Sequence, residues 1–585
     1  MDNRKISRVQ IILGFSLLLF IVLAVRLFYI QIIEHDKYSD IADRMQSVKY
    51  EIKPERGQIY MRDGDAIAPL VLNEPVYTVF ADPQEIDDSA KVAEQIQPIV
   101  GDKFETSAEN LDKNTNQNRF VVLARGVSRS QAEEIKKIDI GGVGAQAGTR
   151  RVYPENSMAA QVLGFVGWDD DCGCETGRYG IEQKLNKELS GTPGRLESVT
   201  DVRRIPLTIG QHDMREPAVN GENIVLTLDR NIQAEAETVL AQGLQNVGAT
   251  RGSMIVMDPT NGAIKAMANF PSYDPAKFNK VTDASVFQNT SVSDPFEPGS
   301  VSKVMSTAAA IDSGAVSRES TFYNAGCVEV ADAKICNVDR DVDNRTMTMT
   351  QVFQYSLNTG VVWELTQMGG GAINDKAKNT LFSYYHDRYR LDQLTGIEQG
   401  GENEGMIYSP NHEQGGVVNY ANMTFGQGFR TTMIEMITAF SAIVNGGTYY
   451  RPHLIAGKLD SGGKLVSDSV ETVSGNVVSA GTSEAIKSMM IEARRGYAAG
   501  RDRGYNVGAK SGTAEVYDPA IGDYSKSQYI GTYLGFGADA AGAPKYVIMV
   551  RVDDSKAGGY AGSTAAEPIW TAMSNWIIDY EGISK

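Results

Sequence analysis

Histidine and cysteine are scarce in this chain, whose 585 residues include five His and four Cys. The pattern His-Glu-x-x-His is missing, which removes the commonest zinc-protease site, and no Gly-x-Ser-x-Gly turn is present for a Ser-His-Asp hydrolase. Acidic residues outnumber basic ones, 73 to 56. A nucleic-acid partner is therefore not expected, because phosphate binding needs clustered cations. We expect no metal ion and no cofactor.

One hydrophobic run departs from the average composition. Residues 11–25 are apolar apart from a glycine and a serine, and the apolar character resumes beyond Arg26. The run reaches the roughly 20 residues that a membrane-spanning helix requires. It therefore predicts a cytoplasmic tail at 1–8, a transmembrane anchor at 9–32 and an extracytoplasmic remainder, since cations precede the run and acids follow it. These flanking residues are Arg4, Lys5, Arg8, Glu34 and Asp36.

A cleavable signal peptide is the competing interpretation of this run. Gln31 to Glu34 is a poor cleavage site, so we favour an uncleaved anchor and a single-pass cell-membrane protein. All four cysteines then lie outside, where disulfides are allowed. Cys327 and Cys336 are close enough in sequence for a disulfide to join them across a hairpin. Cys172 and Cys174 share an acidic loop. A four-thiolate zinc site is disfavoured, because the two pairs belong to different parts of the chain.

The rest of the chain divides into two predicted domains, since 585 residues are too many for one core. Residues 38–220 mix short strands, a charged helix and glycine turns without nucleophile, base or ligand spacing, and predict a non-catalytic platform of dimerisation type. Residues 221–585 carry every chemical motif. Strands near both ends of this part, with helical stretches between them, predict an antiparallel sheet flanked by helices, which makes the fold class α/β of the α+β type. The segments are strands at 222–229, 252–258, 263–269, 531–537 and 545–552, and helices at 231–244 and 568–580.

The first motif is Ser300-Val301-Ser302-Lys303, preceded by Glu297-Pro298-Gly299. Proline and glycine break the chain, and the following residues have helical composition, so Ser300 is predicted to start a helix. Lys303 then lies one turn on, within reach of the hydroxyl. A serine needs a base to become a nucleophile, and a lysine is a base only when burial or a nearby cation lowers its pKa. Ser302 and Ser306 have no such lysine and are expected on the ordinary helix surface.

Two further motifs follow in order. Ser356 and Asn358 are two residues apart and can project from a loop into one cleft, although helix capping is the simpler explanation. The segment Lys510-Ser511-Gly512-Thr513 indicates a strand. There Gly512 lets a substrate backbone approach, and the hydroxyls of Ser511 and Thr513 share one face. With the Lys510 cation these hydroxyls suit a carboxylate. Strand periodicity turns Lys510 to the other face, so the site is expected at the strand's edge.

Each motif is weak alone, but Ser-x-x-Lys, Ser-x-Asn and Lys-Ser/Thr-Gly together are the signature of penicillin-binding proteins and serine β-lactamases. With Glu297-Pro298-Gly299 before the serine, the chain resembles the class B penicillin-binding proteins in particular. The resemblance covers nearly the whole chain; Met61 looks like an insertion, and Ser511 replaces the commoner Thr. Further matching segments are Arg56 to Ile59, Arg151 to Pro154, Leu163 to Gly167, Gly177 to Glu182, Phe425 to Gly428 and Asn445 to Gly447.

The resemblance implies a serine D,D-transpeptidase that cross-links peptidoglycan stem peptides and binds β-lactams. In that family Ser300 would be the nucleophile, Lys303 the base and Ser356 a proton relay. The expected partners are a membrane glycosyltransferase and divisome or elongasome proteins. A compact platform without a C-terminal repeat extension favours septal over side-wall synthesis. The substrate-binding residues would be Asn358, Lys510, Ser511, Gly512 and Thr513, with the N–H groups of Ser300 and Thr513 as the oxyanion hole.

Other functions remain open at this stage. A β-lactamase or a β-lactam sensor shares the three motifs, although neither needs a long N-terminal platform. A catalytically idle membrane scaffold is the alternative of a different class, and the intact set of Ser300, Lys303 and Lys510 argues against it.

Overall fold

The computed structural model describes most of the chain as two compact units. The first unit comprises 1–56 and 190–221, and the second comprises 57–189 and 222–585. The predicted platform, 38–220, is thus divided between the two units. The described residues are 7–38, 47–107, 109–112, 118, 120–199, 214–338, 341–498, 501–518, 523–555 and 560–585.

A long apolar helix dominates the first unit. The α-helix Arg8–Phe28 continues as a π-helical turn, Tyr29–Ile33, and the side chains of both are exposed. The helix begins at a capping box in which Ser7 and Gln10 bond each other's backbone N–H. This helix confirms the predicted apolar helix at 9–32 and is long and apolar enough to cross a membrane. Arg4 and Lys5, which carried the topology prediction, lie outside the described residues. The strands of this unit are Ser47–Ile52, Gly194–Val199 and Met214–Glu216.

The early part of the second unit is the mixed α+β region that the sequence predicts. A small core beneath the strands Ala66–Ala81 and Val121–Val127 buries Val79, Ile96 and Leu123. The other strands are Ile59–Asp63, Val143–Val152, Phe165–Asp169 and Cys174–Arg178, and the helices are Ser89–Val100, Arg129–Ile138, Ala160–Leu163, Gly180–Lys184 and Asn186–Ser190.

One mixed sheet joins this early region to the later one. The strand Ile224–Asp229, expected to open the transpeptidase domain, pairs in parallel with Ile59–Asp63 and antiparallel with Ile455–Leu459. Its Leu226 and Leu228 share one buried cluster with Ile59 and Met61. Met61, which looked like an insertion, is therefore a core residue. The sheet order is Leu465–Ser467, Ile455–Leu459, Ile224–Asp229, Ile59–Asp63, Ala66–Ala81 and Val121–Val127, with Val143–Val152 also paired to Ala66–Ala81.

Five antiparallel strands form the central sheet of the later region, 222–585. Alternate residues of the strand Arg251–Met257 enter different cores. Met254 and Val256 pack with the helices Arg230–Val247 and Glu567–Tyr580. Ile255 and Met257 face the larger core. This confirms the predicted sheet flanked by helices. Its order is Ile264–Phe270, Arg251–Met257, Pro544–Asp553, Asp523–Ala538 and Asn506–Asp518, and the last of these we call the edge strand.

The larger core contains most of the remaining helices. Among these, the helix Ser302–Asp312 packs against the helix Asn358–Met368. We call the first the nucleophile helix, because it follows the predicted nucleophile Ser300, and the second the Asn358 helix. The other α-helices here are Thr290–Ser293, Met349–Gln354, Asp375–Phe382, Val417–Met423, Met433–Val444 and Ala480–Tyr497. The short outlying strands are Thr321–Asn324, Cys327–Val330, Ala333–Cys336, Arg345–Thr348, Tyr449–Tyr450 and Thr472–Ser474.

All four cysteines are paired. Cys327 and Cys336 face each other across the hairpin and form a disulfide, a pairing that their short sequence separation allowed but did not settle. Cys172 and Cys174 form a second disulfide at the tip of the hairpin Phe165–Arg178, a pairing that the sequence did not settle.

Candidate active site

Ser300 lies in a short 3₁₀ turn, Gly299–Val301, that runs directly into the nucleophile helix. Gly299 adopts φ +66°, which favours glycine, and its N–H donates to the carbonyl of Gly426. The prediction that Ser300 starts a helix is therefore correct to within one turn. The expectation that Ser302 and Ser306 lie on the helix surface is wrong, because both are fully buried. Pro298 is the last residue before the turn, so the chain break falls where the sequence indicated.

Lys303 is fully buried and contacts both serines of the predicted site. Its Nζ lies 3.0 Å from Ser300 Oγ and 3.1 Å from Ser356 Oγ, and it donates to the Ser356 carbonyl at 2.6 Å. Ser356 adopts φ +53° between two helices, which aims both its carbonyl and its hydroxyl at the lysine. The first two motifs therefore meet in one cluster.

Lys510 of the edge strand reaches the same cluster. Its Nζ lies 2.9 Å from Ser356 Oγ and 2.9 Å from the Ser511 carbonyl, and the side chain is buried. The strand lies at the edge of the central sheet. All three motifs thus converge on the Ser356 hydroxyl.

Burial sets the electrostatics of both lysines. It lowers the pKa of Lys303 well below the usual range, and the charge of Lys510 lowers it further, while Glu364 acts in the opposite direction. Burial also lowers the pKa of Lys510, to about 7. A neutral amine can therefore lie beside Ser300 near neutral pH, which is what a general base requires.

Close glycine contacts hold the edge strand against the turn of Ser300. A Cβ on Gly299 would come within 2.6 Å of the Thr513 carbonyl oxygen. A Cβ on Gly512 would come within 2.3 Å of Thr532 Oγ1 and 2.7 Å of the Pro298 carbonyl oxygen. Gly512 thus allows the protein's own turn to approach the strand, a different reason from the substrate approach that the sequence suggested. The contact brings the backbones of Ser300 and Thr513, the expected oxyanion donors, to one place.

The remaining predicted residues surround this cluster. Asn358 is the first residue of its helix, and its Nδ2 donates to the Cys336 carbonyl at 3.0 Å, which ties it to the disulfide hairpin. Ser511 and Thr513 are partly exposed on the edge strand. The hydroxyl of Thr513 accepts a hydrogen bond from the N–H of Gly562 at 3.1 Å.

Sequence reasoning missed several groups that support the site. Thr532 donates to the Pro298 carbonyl at 2.9 Å, and the Glu297 carboxylate accepts the Gly428 N–H at 2.9 Å. Thr307 and the buried Glu364 bond each other beneath Lys303. No sequence motif marks Thr532, Thr307 or Glu364, because each contacts a residue that is distant from it in the sequence.

Comparison with known proteins identifies both parts of the chain. Residues 252–575 match the family model of the penicillin binding protein transpeptidase domain, and residues 51–226 match that of the penicillin-binding protein dimerisation domain. Stage V sporulation protein D of Bacillus subtilis is 30% identical over 96% of this chain and 84% of its own length. The peptidoglycan D,D-transpeptidase FtsI of Escherichia coli K12 is 27% identical over 98% of this chain and 91% of its own length.

A solved structure shares the fold. Penicillin binding protein 2X from Streptococcus thermophilus superimposes with a TM-score of 0.71 at 24% identity, covering 92% of this chain and 82% of that one. The matched domains, the full-length relatives and the convergence of three motifs on one hydroxyl agree. The chain belongs to the class B penicillin-binding proteins.

Proposed function

We propose that Ser300 is the nucleophile and Lys303 the base of this peptidoglycan D,D-transpeptidase. The observation that carries the assignment is the 3.0 Å contact between Lys303 Nζ and Ser300 Oγ inside a buried cluster. As Ser300 Oγ bonds to the penultimate D-Ala carbonyl carbon of a stem peptide, its proton passes to Lys303. The C–N bond to the terminal D-Ala then breaks, and the leaving amine takes a proton. An ester links the donor stem to Ser300.

Ser356 is the proposed relay in that second step. Its hydroxyl is within hydrogen-bond distance of both lysines, so it can give a proton to the leaving amine and recover one from Lys303. Resolution runs in reverse: the amine of a second stem attacks the ester carbonyl, the bond to Ser300 Oγ breaks, and the proton returns to that oxygen. A β-lactam enters the same path, except that its amide is in a ring and the leaving nitrogen stays attached.

Residues of the edge strand and of the Asn358 helix are the proposed substrate-binding groups. The Lys510 cation and the hydroxyls of Ser511 and Thr513 suit the terminal carboxylate, and charge-assisted bonds of this kind are strong. Asn358 is the proposed contact for the peptide carbonyl through its amide. The Ser300 and Thr513 N–H groups are the proposed oxyanion donors, aimed at the charge that develops on attack.

We place this chemistry outside the cytoplasmic membrane. The exposed apolar helix Arg8–Phe28 supports an anchor, and the charges around it support a cytoplasmic N-terminus. A reporter that works only outside the membrane, fused after Lys585, should be active. Activity of a cytoplasm-only reporter at that position would rule out this topology.

Septal wall synthesis is the proposed cellular role, with a membrane glycosyltransferase and divisome proteins as partners. Side-wall synthesis with elongasome proteins is the alternative. Depletion followed by microscopy distinguishes them, because loss of septal cross-linking gives filaments whereas loss of side-wall cross-linking gives rounded cells.

Labelling with a fluorescent penicillin tests the chemistry. Wild-type protein should carry one adduct on the tryptic peptide of Ser300, and Ser300→Ala should carry none while remaining folded. Ser302→Ala is the matched control, since Ser302 is a buried neighbour whose hydroxyl has no hydrogen-bond partner in the described part of the chain. It should label like wild type. An adduct on another serine would contradict the assignment.

A further inference from the structure

The nucleophile helix and the Asn358 helix are joined by two polar contacts one helical turn apart. The first is the contact of Lys303 with Ser356, just before the Asn358 helix. The second joins Thr307 Oγ1 to the two carboxyl oxygens of Glu364, at 3.0 and 2.8 Å. Thr307 lies four residues after Lys303, so both residues occupy the same face of their helix.

Glu364 is a buried carboxyl that the reaction of Ser300 does not use. It is fully buried, and Thr307 is its hydrogen-bond partner. Burying a carboxyl is costly unless the group is paired, so its position calls for a function. The four residues from Lys303 to Thr307 rise about 6 Å along the helix axis, so the carboxyl that Thr307 holds lies about one turn from Lys303, where opposite charges in a protein interior can interact.

We propose that Glu364, held by Thr307, is a positioning residue that sets the protonation of Lys303 and thereby the pH range in which Ser300 is activated. This inference rests on the proposed role of Lys303 as the base. A carboxylate at Glu364 favours protonated Lys303, whereas a neutral carboxyl leaves Lys303 a free amine. The two groups therefore share protons as a coupled pair.

The charged and titratable neighbours act on this pair in known directions. Lys510, on the edge strand, lowers the pKa of Lys303, and Glu364, on the Asn358 helix, raises it. Burial raises the pKa of Glu364, while the Thr307 hydroxyl and the Lys303 cation lower it and so favour the carboxylate. The phenol of Tyr385 also interacts electrostatically with Glu364. Burial raises the pKa of Tyr385, so this group stays neutral.

The test is the pH dependence of the second-order rate constant for acylation by a fluorescent penicillin, in the full-length protein. Glu364→Gln removes the negative charge and keeps the shape, so Lys303 should lose its proton more readily. The acid limb is the part of the pH profile in which the acylation rate rises as Lys303 loses its proton. It should move to lower pH by about one unit. A merely structural role would lower stability or the overall rate without moving the limb.

Glu435 supplies the matched control. It is also fully buried, bonds a threonine hydroxyl, and has a pKa raised by burial to about 8. It caps a different helix, Met433–Val444. Glu435→Gln should therefore leave the acid limb in place. An equal movement of the limb in both variants would overturn the proposal.

A second pair of variants keeps the test decisive if Glu364→Gln folds poorly. Thr307→Val removes the hydroxyl that stabilises the carboxylate, so it should move the acid limb in the same direction by a smaller amount. Thr307→Ser retains the hydroxyl and should not move it. A limb that stays at its wild-type position in Glu364→Gln, or in Thr307→Val where the first variant does not fold, overturns the inference.

The failure of the inference can be told apart from a failure of the proposed function. Lys303→Ala should lose nearly all acylation if Lys303 is the base. Full acylation in Lys303→Ala would remove the base from the mechanism. An inactive Lys303→Ala beside an unshifted limb in Glu364→Gln would remove only the role of Glu364.

Discussion

Lys303 and Lys510 share one hydrogen-bond acceptor, the hydroxyl oxygen of Ser356, at 3.1 and 2.9 Å. Both lysines are buried, and two ammonium groups beside one hydroxyl repel each other, so protonation of one disfavours protonation of the other. The proposed chemistry needs opposite states: Lys303 must be neutral to take a proton, and Lys510 must be charged to hold a carboxylate. The shared hydroxyl therefore links the base to the carboxylate site.

Lys510→Arg tests this division of roles through the alkaline limb of acylation. Because burial lowers the pKa of Lys510 to about 7, its cation is present below that pH and is lost as the pH rises through it. Acylation by a penicillin with a free carboxylate should decline on that side. Arginine stays protonated, so Lys510→Arg should have a lower rate but no such decline. The measurement is the rate constant for acylation from pH 6 to about 9.

Lys487→Arg is the control for this change. Lys487 is also buried and donates to the Gly542 carbonyl, away from the three motifs. It should keep the wild-type alkaline limb. If the acylation rate of Lys510→Arg still declines at alkaline pH, another group causes the decline, and Lys510 is not the cation that holds the carboxylate.

Gly512→Ala should damage the site without touching a reacting atom. The new Cβ would lie 2.3 Å from Thr532 Oγ1 and 2.7 Å from the Pro298 carbonyl oxygen, so the turn of Ser300 must move. We expect a loss of about 1–3 kcal/mol in stability and about a hundredfold loss in acylation, because misplacing a reacting group by 1 Å costs on that order. Thermal unfolding and labelling kinetics measure the two effects.

Gly475→Ala should change neither quantity. Among the residues that the structure describes, none would lie within 4 Å of its new Cβ, and Gly475 is exposed. Wild-type kinetics in Gly512→Ala would mean that the glycine contact does not position Ser300.

The sequence predicted the residues that the structure brings together better than the groups that support them. Ser300, Lys303, Ser356 and Lys510 were predictable because each belongs to a short motif whose chemistry needs those residue types. The central sheet was predictable from apolar segments and an Asn-Gly turn. Glu364 and Thr532 were not, because a single buried residue that contacts a distant segment leaves no local pattern.

The strand Ile224–Asp229 shows the other limit of sequence reasoning. Its apolar pattern predicted a strand, and the strand exists. The pattern does not specify the partner, and the parallel pairing with Ile59–Asp63 joins two segments far apart in the chain. Domain boundaries drawn at composition changes cannot detect such pairing.

The disulfide Cys327–Cys336 should stabilise the hairpin beside Asn358. Closing a loop of this size, with a sequence separation of 9, is worth roughly 2–3 kcal/mol in the chain-entropy account. Non-reducing peptide mapping should recover the linked pair, and Cys327→Ser with Cys336→Ser should lower the unfolding free energy by about that amount. Recovery of two freely alkylated thiols from native protein would contradict the pairing. Replacing Cys172 and Cys174 together is the control, since both are exposed at a hairpin tip and should contribute less.

Truncation tests the shared sheet. The motifs alone predict that a chain beginning at residue 221 still acylates, because every reacting group lies beyond it. The structure changes that expectation, since this truncation removes Ile59 and Met61, which share a core with Leu226 and Leu228. Losing these two side chains alone costs about 3–6 kcal/mol, against a total stability of about 5–15 kcal/mol, and the truncation also removes other members of the same core, such as Leu70 and Ile181. The truncated chain should melt well below the chain that begins at Gly57, which retains the strand, and should acylate more slowly at 37 °C. Equal melting temperatures would show that the sheet does not couple the two regions.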